Sequence, residues 1–341
     1  MSHAQQPASQ QSATFPERMR AAYVRSLGGP ENIEVGSLPV PRPGPTDLVV
    51  RMLASEVNHV DLFVRSGAYP THTPFPFVIG RDVVGTVVAT GAGVSDLRPG
   101  DRVWSNSLGV DGRQGTFAEY VLIPAERAYR LPGNVAAEDA AVVLHGAATA
   151  QIGLFRRAHL RAGQTVFVAG GGGAVGSAVA QIAVDAGARV VASASADDQQ
   201  WCRSCGAEHV IDYRDPQLYQ RIAEATPQGI DLWWDNSGRH DFDSALPLLN
   251  EGATMVLMSG MQARPVLPVG QVYTREVTIR GFAISNAGVD DLAEAAATIN
   301  RMLAAGDLRG RAARTYTIDQ ARQAHETIST ERLRGRILIH P

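Results

Sequence analysis

Gly171, Gly173 and Gly176 fit the spacing G-x-G-x-x-G inside "VFVAGGGGAVGSAVAQIA" (166–183). An apolar run precedes them and small, helix-compatible residues follow, which is the context that turns such spacing into phosphate chemistry. The first glycine permits a tight turn, the second lets a backbone approach a pyrophosphate, and the third lets helix and strand pack closely. Unpaired N–H groups at the helix N-terminus then face the negative charge. Gly171, Gly172, Gly173, Ala174, Val175 and Gly176 are therefore the expected cradle of a dinucleotide.

NAD sites usually carry Asp or Glu about 20 residues beyond this loop. Here the second strand reads "RVVASASADD", and the position falls on Ser193, followed by Ala194 and Ser195. No carboxylate stands there to repel a 2′-phosphate, which argues for NADPH. Ser195, Tyr213 and Arg214 are candidate phosphate partners, although Tyr213 and Arg214 could equally begin the next helix. Asn236, Ser237 and Gly238 follow the fourth strand, and Ser259 and Gly260 the fifth. Phe282 closes the sixth. Open α/β sheets present such loops to their ligands.

These loops need a sheet behind them. From about Gln164 the chain alternates strand and helix, with strands at "TVFVA", "ARVVAS", "EHVID", "IDLWWD", "ATMVLM" and "VTIRGF". Helices are expected at 176–185 and 196–205 among others, and later at 290–305. Six strands in this rhythm predict a doubly wound parallel sheet. Between Arg20 and about Leu144 the pattern differs. Short Val/Thr-rich runs such as "DLVVRMLASEV", "DVVGTVVATGAGV" and "GDRVWSN" alternate with Pro and Gly, which predicts an antiparallel, barrel-like β unit. A last strand, "GRILIHP", ends the sequence.

Composition narrows the function. The chain has 341 residues, 45% of them apolar and 19% charged, and a net charge of −3. That balance gives no electrostatic case for nucleic acid or an anionic membrane, and no apolar run approaches a membrane span of roughly 20 residues. All 31 basic residues are arginine. Without lysine there is no Schiff-base nucleophile and no Walker phosphate loop. The two cysteines, Cys202 and Cys205, form no disulfide framework, and a cytoplasmic protein is expected. Residues 1–18 read as a flexible tail.

The order of these segments resembles the medium-chain dehydrogenase/reductase superfamily, and within it the zeta-crystallin-like quinone oxidoreductases. The carrying motifs are "GGPENIEV", "VNHVDLFVRSGAYP", "GAGVSDLRPGDRV", "GTFAEYVLIPAE", "AGGGGAVG", "GAEHVIDYRD", "DNSG" and "RGRILI". The resemblance implies a GroES-like catalytic domain over 19–147, a Rossmann nucleotide-binding domain over 148–286, and a C-terminal segment, 287–341, that returns to the catalytic domain. It places Asn58, Asp61 and Tyr69 at the substrate cleft and Thr149 near the nicotinamide. Asn58 and Tyr69 could donate hydrogen bonds to a substrate oxygen, while Asp61 could instead cap a helix. Thr149 could equally bond its own helix backbone. His59 adjoins Asn58 but, in a turning segment, could point elsewhere. Among Arg332, Arg334 and Arg336 the basic residue against the cofactor phosphates is expected to be Arg336. A homodimer through strand 277–284 is also implied.

Zinc members of the superfamily place Cys where this chain has Asn58, and Gly-His-Glu where it has Gly80-Arg81-Asp82. No four-Cys lobe is present, so no metal is expected. Without a Lewis acid, alcohol oxidation is disfavoured and an already activated electrophile is favoured. The expected activity is NADPH-dependent hydride transfer to a quinone-type conjugated carbonyl. Two alternatives remain open: an enoyl or alkenal reductase acting on an activated C=C bond, and a non-catalytic, crystallin-like NADPH-binding protein. Two departures matter. Phe63 replaces a second Tyr of some relatives, and Asp198 stands where many NADPH-using relatives carry Lys.

Overall fold

The computed structural model describes residues 16–341. Most of the expected tail therefore lies outside the described residues, and the first strand, Arg18–Val24, already includes the last residue of that segment.

All six strands expected after Gln164 join one parallel sheet. Its spatial order is His209–Asp212, Arg189–Ala194, Thr165–Ala169, Ile230–Asp235, Leu249–Leu257 and Thr278–Gly281. Numbered along the chain this is 3-2-1-4-5-6, the doubly wound order. Every residue of Thr165–Ala169 is buried, as a central parallel strand with helices on both faces must be. The order reverses beside this strand, so the loop that follows it opens at the switch point. That loop is the glycine run. Gly170 has φ +79°, a left-handed conformation that favours glycine. A Cβ on Gly176 would stand 2.2 Å from the Gly170 carbonyl oxygen, so helix Ala174–Asp185 can rest on the loop only because residue 176 has none. The helix begins two residues earlier than the sequence pattern suggested, because Gly173, in extended backbone, is its N-cap.

The other half is a mixed β unit rather than a purely antiparallel one. Its larger sheet runs Ala312–Thr317, Arg336–His340, Asp47–Val57, Asp82–Thr90, Arg102–Ser105, Tyr129–Arg130, with Tyr120–Pro124 also paired to Asp47–Val57. The parallel element is the pair Ala312–Thr317 and Arg336–His340, contributed by the far end of the chain. A smaller sheet, Glu34–Pro39, Arg18–Val24 and Phe77–Val78, closes one side. Val50, Met52, Val83, Val103 and Ile337 fill the interior. Helix Val289–Ala305 joins the two halves. It buries Leu292, Ala295 and Ile299 in the core of the parallel sheet, and Asn300 accepts a 2.9 Å hydrogen bond from Trp104 of the β unit. Among the described residues no helix is long and apolar enough to cross a membrane.

Candidate active site

A cleft of about 870 Å³ opens between the two halves, within the size range of small-molecule and cofactor sites. Gly172, Gly173, Ala174, Val175 and Gly176 line one wall, with Asn236, Ser259 and Phe282 beyond them. Asn58, His59, Phe63 and Tyr69 line the opposite wall. Helix Leu144–Gln151 contributes His145 and Thr149, and Arg336 also borders the space.

The glycines divide their tasks. Gly171 does not line the cleft; its hydrogen faces Ala192, whose Cβ would be 2.8 Å from an added one. Its N–H and that of Gly170 both bond the carbonyl of Ser193, so Ser193 anchors the loop from beneath rather than offering its side chain. Gly173 is different. With φ −76° it has no conformational need for glycine, and an added Cβ would meet only the Gly170 oxygen, at 3.5 Å. What this position spares is space in the cleft. The first three N–H groups of helix Ala174–Asp185 have no intrahelical partner, no side chain caps them, and no acidic residue occupies the first turn. The buried Nδ2 of Asn236 also lacks a partner, while its Oδ1 accepts from Trp234 and its carbonyl from Ser259 Oγ. Orphan donors around a side-chain-free loop fit a dinucleotide with its pyrophosphate on the helix N-terminus.

At the far end of that wall the charges are paired. Ser195 Oγ donates to Asp198 Oδ2 at 2.9 Å. Arg311 donates to the other oxygen of Asp198 at 2.8 Å and to the Gly172 carbonyl at 3.1 Å, and its guanidinium lies 4.7 Å over the Trp201 ring. Arg334 pairs with Asp197. Tyr213 OH accepts from Arg332 at 2.6 Å, which holds the phenol below its ordinary range. The negative charge at Asp198 is therefore neutralised, and the end of the site is rich in guanidinium groups. Arg336 is not among them. It pairs with buried Glu56 and donates to Asn58 Oδ1 at 2.6 Å, because strand Arg336–His340 is laid antiparallel on Asp47–Val57. Burial pushes its guanidinium down to about 10. The expected phosphate contact is thus replaced by a contact at the opposite end of the cleft.

Asn58 is held from three sides. Its backbone N–H donates to Asp61 Oδ2 at 2.8 Å, Nδ2 donates to Asp82 Oδ2, and Oδ1 accepts from Arg336. One Nδ2–H remains for the cleft. Asp61 lies outside the cleft lining and caps helix His59–Ser66, the structural alternative weighed above. Burial is the main cause that pushes its carboxyl up to about 7; the Asn58 N–H opposes this. Tyr69 OH reaches Asn286 Oδ1 at 3.4 Å. Thr149 Oγ1 donates to the His145 carbonyl at 2.8 Å, so its donor is used within its own helix and only its lone pairs face the ligand space.

Two features escaped sequence reading. Arg311 belongs to a segment without a motif. His145 precedes Thr149 by four residues in "LHGAATA", which places both on one helix face; that spacing was the available signal. Among the described residues no group of three or more His, Cys, Asp or Glu side chains could hold a metal. The positions that zinc members use hold an amide already committed to Asp82 and Arg336, and Arg81. This donor set does not fit a catalytic zinc. Cys202 and Cys205 are buried free thiols, pushed up by burial to about 11 and about 12.

Comparison with known proteins agrees on both halves. Residues 44–133 match the alcohol dehydrogenase GroES-like domain family and residues 174–301 the zinc-binding dehydrogenase family. A quinone oxidoreductase from Lama guanicoe is 29% identical over 320 residues, 93% of this chain and 96% of that protein. An NAD-dependent alcohol dehydrogenase crystal structure is 30% identical, with a TM-score of 0.86 over 95% of this chain and 100% of that one. A mycobacterial protein solved in complex with NADPH is 28% identical, with a TM-score of 0.82 over 95% and 100%. The sheet order, the barrel and the extent of these matches lead to one conclusion: the chain belongs to the medium-chain dehydrogenase/reductase superfamily and is an oxidoreductase.

Proposed function

We propose that the protein is a zinc-independent, NADPH-dependent reductase whose acceptor is a conjugated carbonyl of quinone type. The observation that carries this reading is a cleft with a pyrophosphate cradle on one wall and oriented hydrogen-bond donors, but no metal ligand set, on the other. Bound there, the reduced nicotinamide supplies a hydride. The chain's own groups then have defined tasks. The helix N-terminus at Ala174 and the Asn236 amide hold the cofactor. The free Nδ2–H of Asn58 and the hydroxyl of Tyr69 meet the acceptor oxygen, where charge develops. Asp82 and Arg336 fix the Asn58 amide so that it does not reorient during the reaction.

The structural neighbours carry both cofactor names, one NAD and one NADPH, so the choice rests on this chain's residues. Arg332, which lines the cleft and donates to Tyr213, supports NADPH, since guanidinium groups bind phosphate strongly. Relatives named quinone oxidoreductase support the acceptor class. Phe63, exposed in the cleft wall, offers no hydrogen bond and favours a second reading, reduction of an activated C=C bond in an apolar enone or enoyl thioester. Strand Thr278–Gly281 ends the sheet with an open edge, and exposed Val269 and Tyr273 lie just before it. This supports a homodimer through 277–284. Two free, buried thiols suit a reducing, cytoplasmic setting.

The test is NADPH oxidation followed by absorbance with two acceptors in parallel, 9,10-phenanthrenequinone and an enone or enoyl thioester. Turnover with the quinone supports the first reading. Turnover with the alkene alone moves the protein to the second, and turnover with neither refutes both.

A further inference from the structure

We propose that His145 is the proton donor of the reduction and that Asp82 is the residue that positions it; the proposal rests on the reductase reading above. His145 lines the cleft, and its side chain is 13% exposed. Its Nδ1 is buried, has no hydrogen-bond partner, and lies 3.7 Å from Asp82 Oδ2. Asp82 is fully buried, and its Oδ1 also lacks a partner. This enclosed carboxylate keeps one oxygen without a hydrogen-bond partner, and the imidazole nitrogen 3.7 Å from its other oxygen is the group that can complement it, which holds the ring with Nδ1 inward. The opposite nitrogen, Nε2, is then the edge presented to the cleft. The same carboxylate receives the Asn58 amide, so one buried group orients both the oxygen-binding donor and the acid. This is the logic by which a buried carboxylate fixes the tautomer and orientation of a catalytic histidine.

The step balances. Hydride addition places an electron pair and a hydrogen nucleus on the acceptor and leaves it with one negative charge, on a quinone oxygen or delocalised over an enolate. The Nε2–H bond of the His145 imidazolium breaks, and an O–H or Cα–H bond forms on the acceptor. The neutral ring keeps its proton on Nδ1, toward Asp82, and regains the other from water at the cleft mouth. The titratable groups that face the ring are Asp82, on strand Asp82–Thr90, and His59, at the start of helix His59–Ser66 and close enough to repel it electrostatically. Beyond Asp82 the chain of contacts runs through Asn58 to Arg336 and from Arg336 to Glu56.

The experiment uses the full chain with NADPH and an enone bearing a prochiral α-carbon, in ²H₂O. For His145→Gln, kcat is expected to fall about 10²-fold, the lower end for lost general acid catalysis, with NADPH affinity unchanged in a fluorescence titration. The solvent deuterium, confined to one face by the wild type, is expected on both faces in the variant product. For Asp82→Asn, ¹⁵N NMR of the cofactor-free protein gives a readout that needs no turnover. The neutral His145 ring is expected as the Nδ1–H form in the wild type and shifted toward Nε2–H in the variant. A His145→Gln enzyme within about threefold of wild-type kcat that still labels a single face overturns the proposal and leaves the reductase reading standing. So does a wild-type ring already in the Nε2–H form. Failure of the wild type to oxidise NADPH with either acceptor sinks the reductase reading, and the proposal falls with it.

Discussion

Gly173→Val separates binding from folding, because this glycine has no folding task. Its backbone is extended and unstrained, and an added Cβ would make only ordinary contact, 3.5 Å from the Gly170 oxygen. The fold loses no more than the difference between Gly and Val at a helix N-cap, about 1 kcal/mol. Binding is another matter. The isopropyl group would occupy the space above the unpaired N–H groups of residues 174–176 and push a pyrophosphate off them. Two charge-assisted hydrogen bonds lost at about 1.5–3 kcal/mol each correspond to roughly 10²–10⁴ in Kd. Gly176→Ala is the mirror control. Its Cβ would lie 2.2 Å from the backbone oxygen of Gly170, so helix and strand must separate and the melting temperature must fall. The assay pairs NADPH titration by calorimetry with thermal unfolding by circular dichroism. A Gly173→Val protein with parental melting temperature and NADPH affinity within threefold would refute the cradle.

Other perturbations report on the remaining groups. Asp61 rises from an ordinary value near 3.8 to about 7, so its contribution is fully present below pH 4 and is lost as pH climbs through 7, on the order of 4 kcal/mol in all; Asp61→Asn should therefore be the more stable protein in urea at pH 8 and lose that advantage near pH 4. His325 is fully buried with neither ring nitrogen partnered, and burial pushes it down to about 3. Its folded state resists protonation, so stability present above pH 6.5 drains away as pH falls toward 3, and His325→Leu should remove that slope in melts at pH 4.5 and 7. Arg332→Ala should weaken NADPH about 10-fold, roughly 1.4 kcal/mol, and leave NADH binding unchanged; equal weakening of both would remove Arg332 from the 2′-phosphate.

Local patterns were legible, and long-range pairings were not. The six strands could be read because a buried parallel strand such as "TVFVA" must be continuously apolar, and the glycine loop because each glycine answers a steric demand. Thr149 and Asp61 were readable as helix-bonded groups, since hydroxyl-to-carbonyl and N-cap contacts span only three or four residues. Arg336 was misplaced because its partner, Glu56, lies 280 positions away. Asp198 read as an argument against NADPH because its neutralising partner, Arg311, is 113 positions distant. His145 looked like one more residue of a small, apolar helix, and only Asp82, supplied by another strand, gives its ring a direction.

The position of strand Arg336–His340 also constrains how the molecule comes into being. It sits between Asp47–Val57 and Ala312–Thr317 in the larger sheet, so the β unit that starts the chain stays unsealed until its last strand has been synthesised. The parallel sheet meanwhile has all six of its strands by Gly281. On a ribosome the parallel sheet has its full complement of strands before the larger β sheet does, and the early strands of that sheet must wait through a closure of some 280 residues, a slow, high-contact-order event. During that wait the end of Asp47–Val57 at residues 55–57 lacks its ladder partner, an edge of the kind that chaperones protect and proteases cut. A stop codon before Arg336 would remove the strand Arg336–His340 and so deprive Asp47–Val57, nearly 280 residues earlier, of its closing partner.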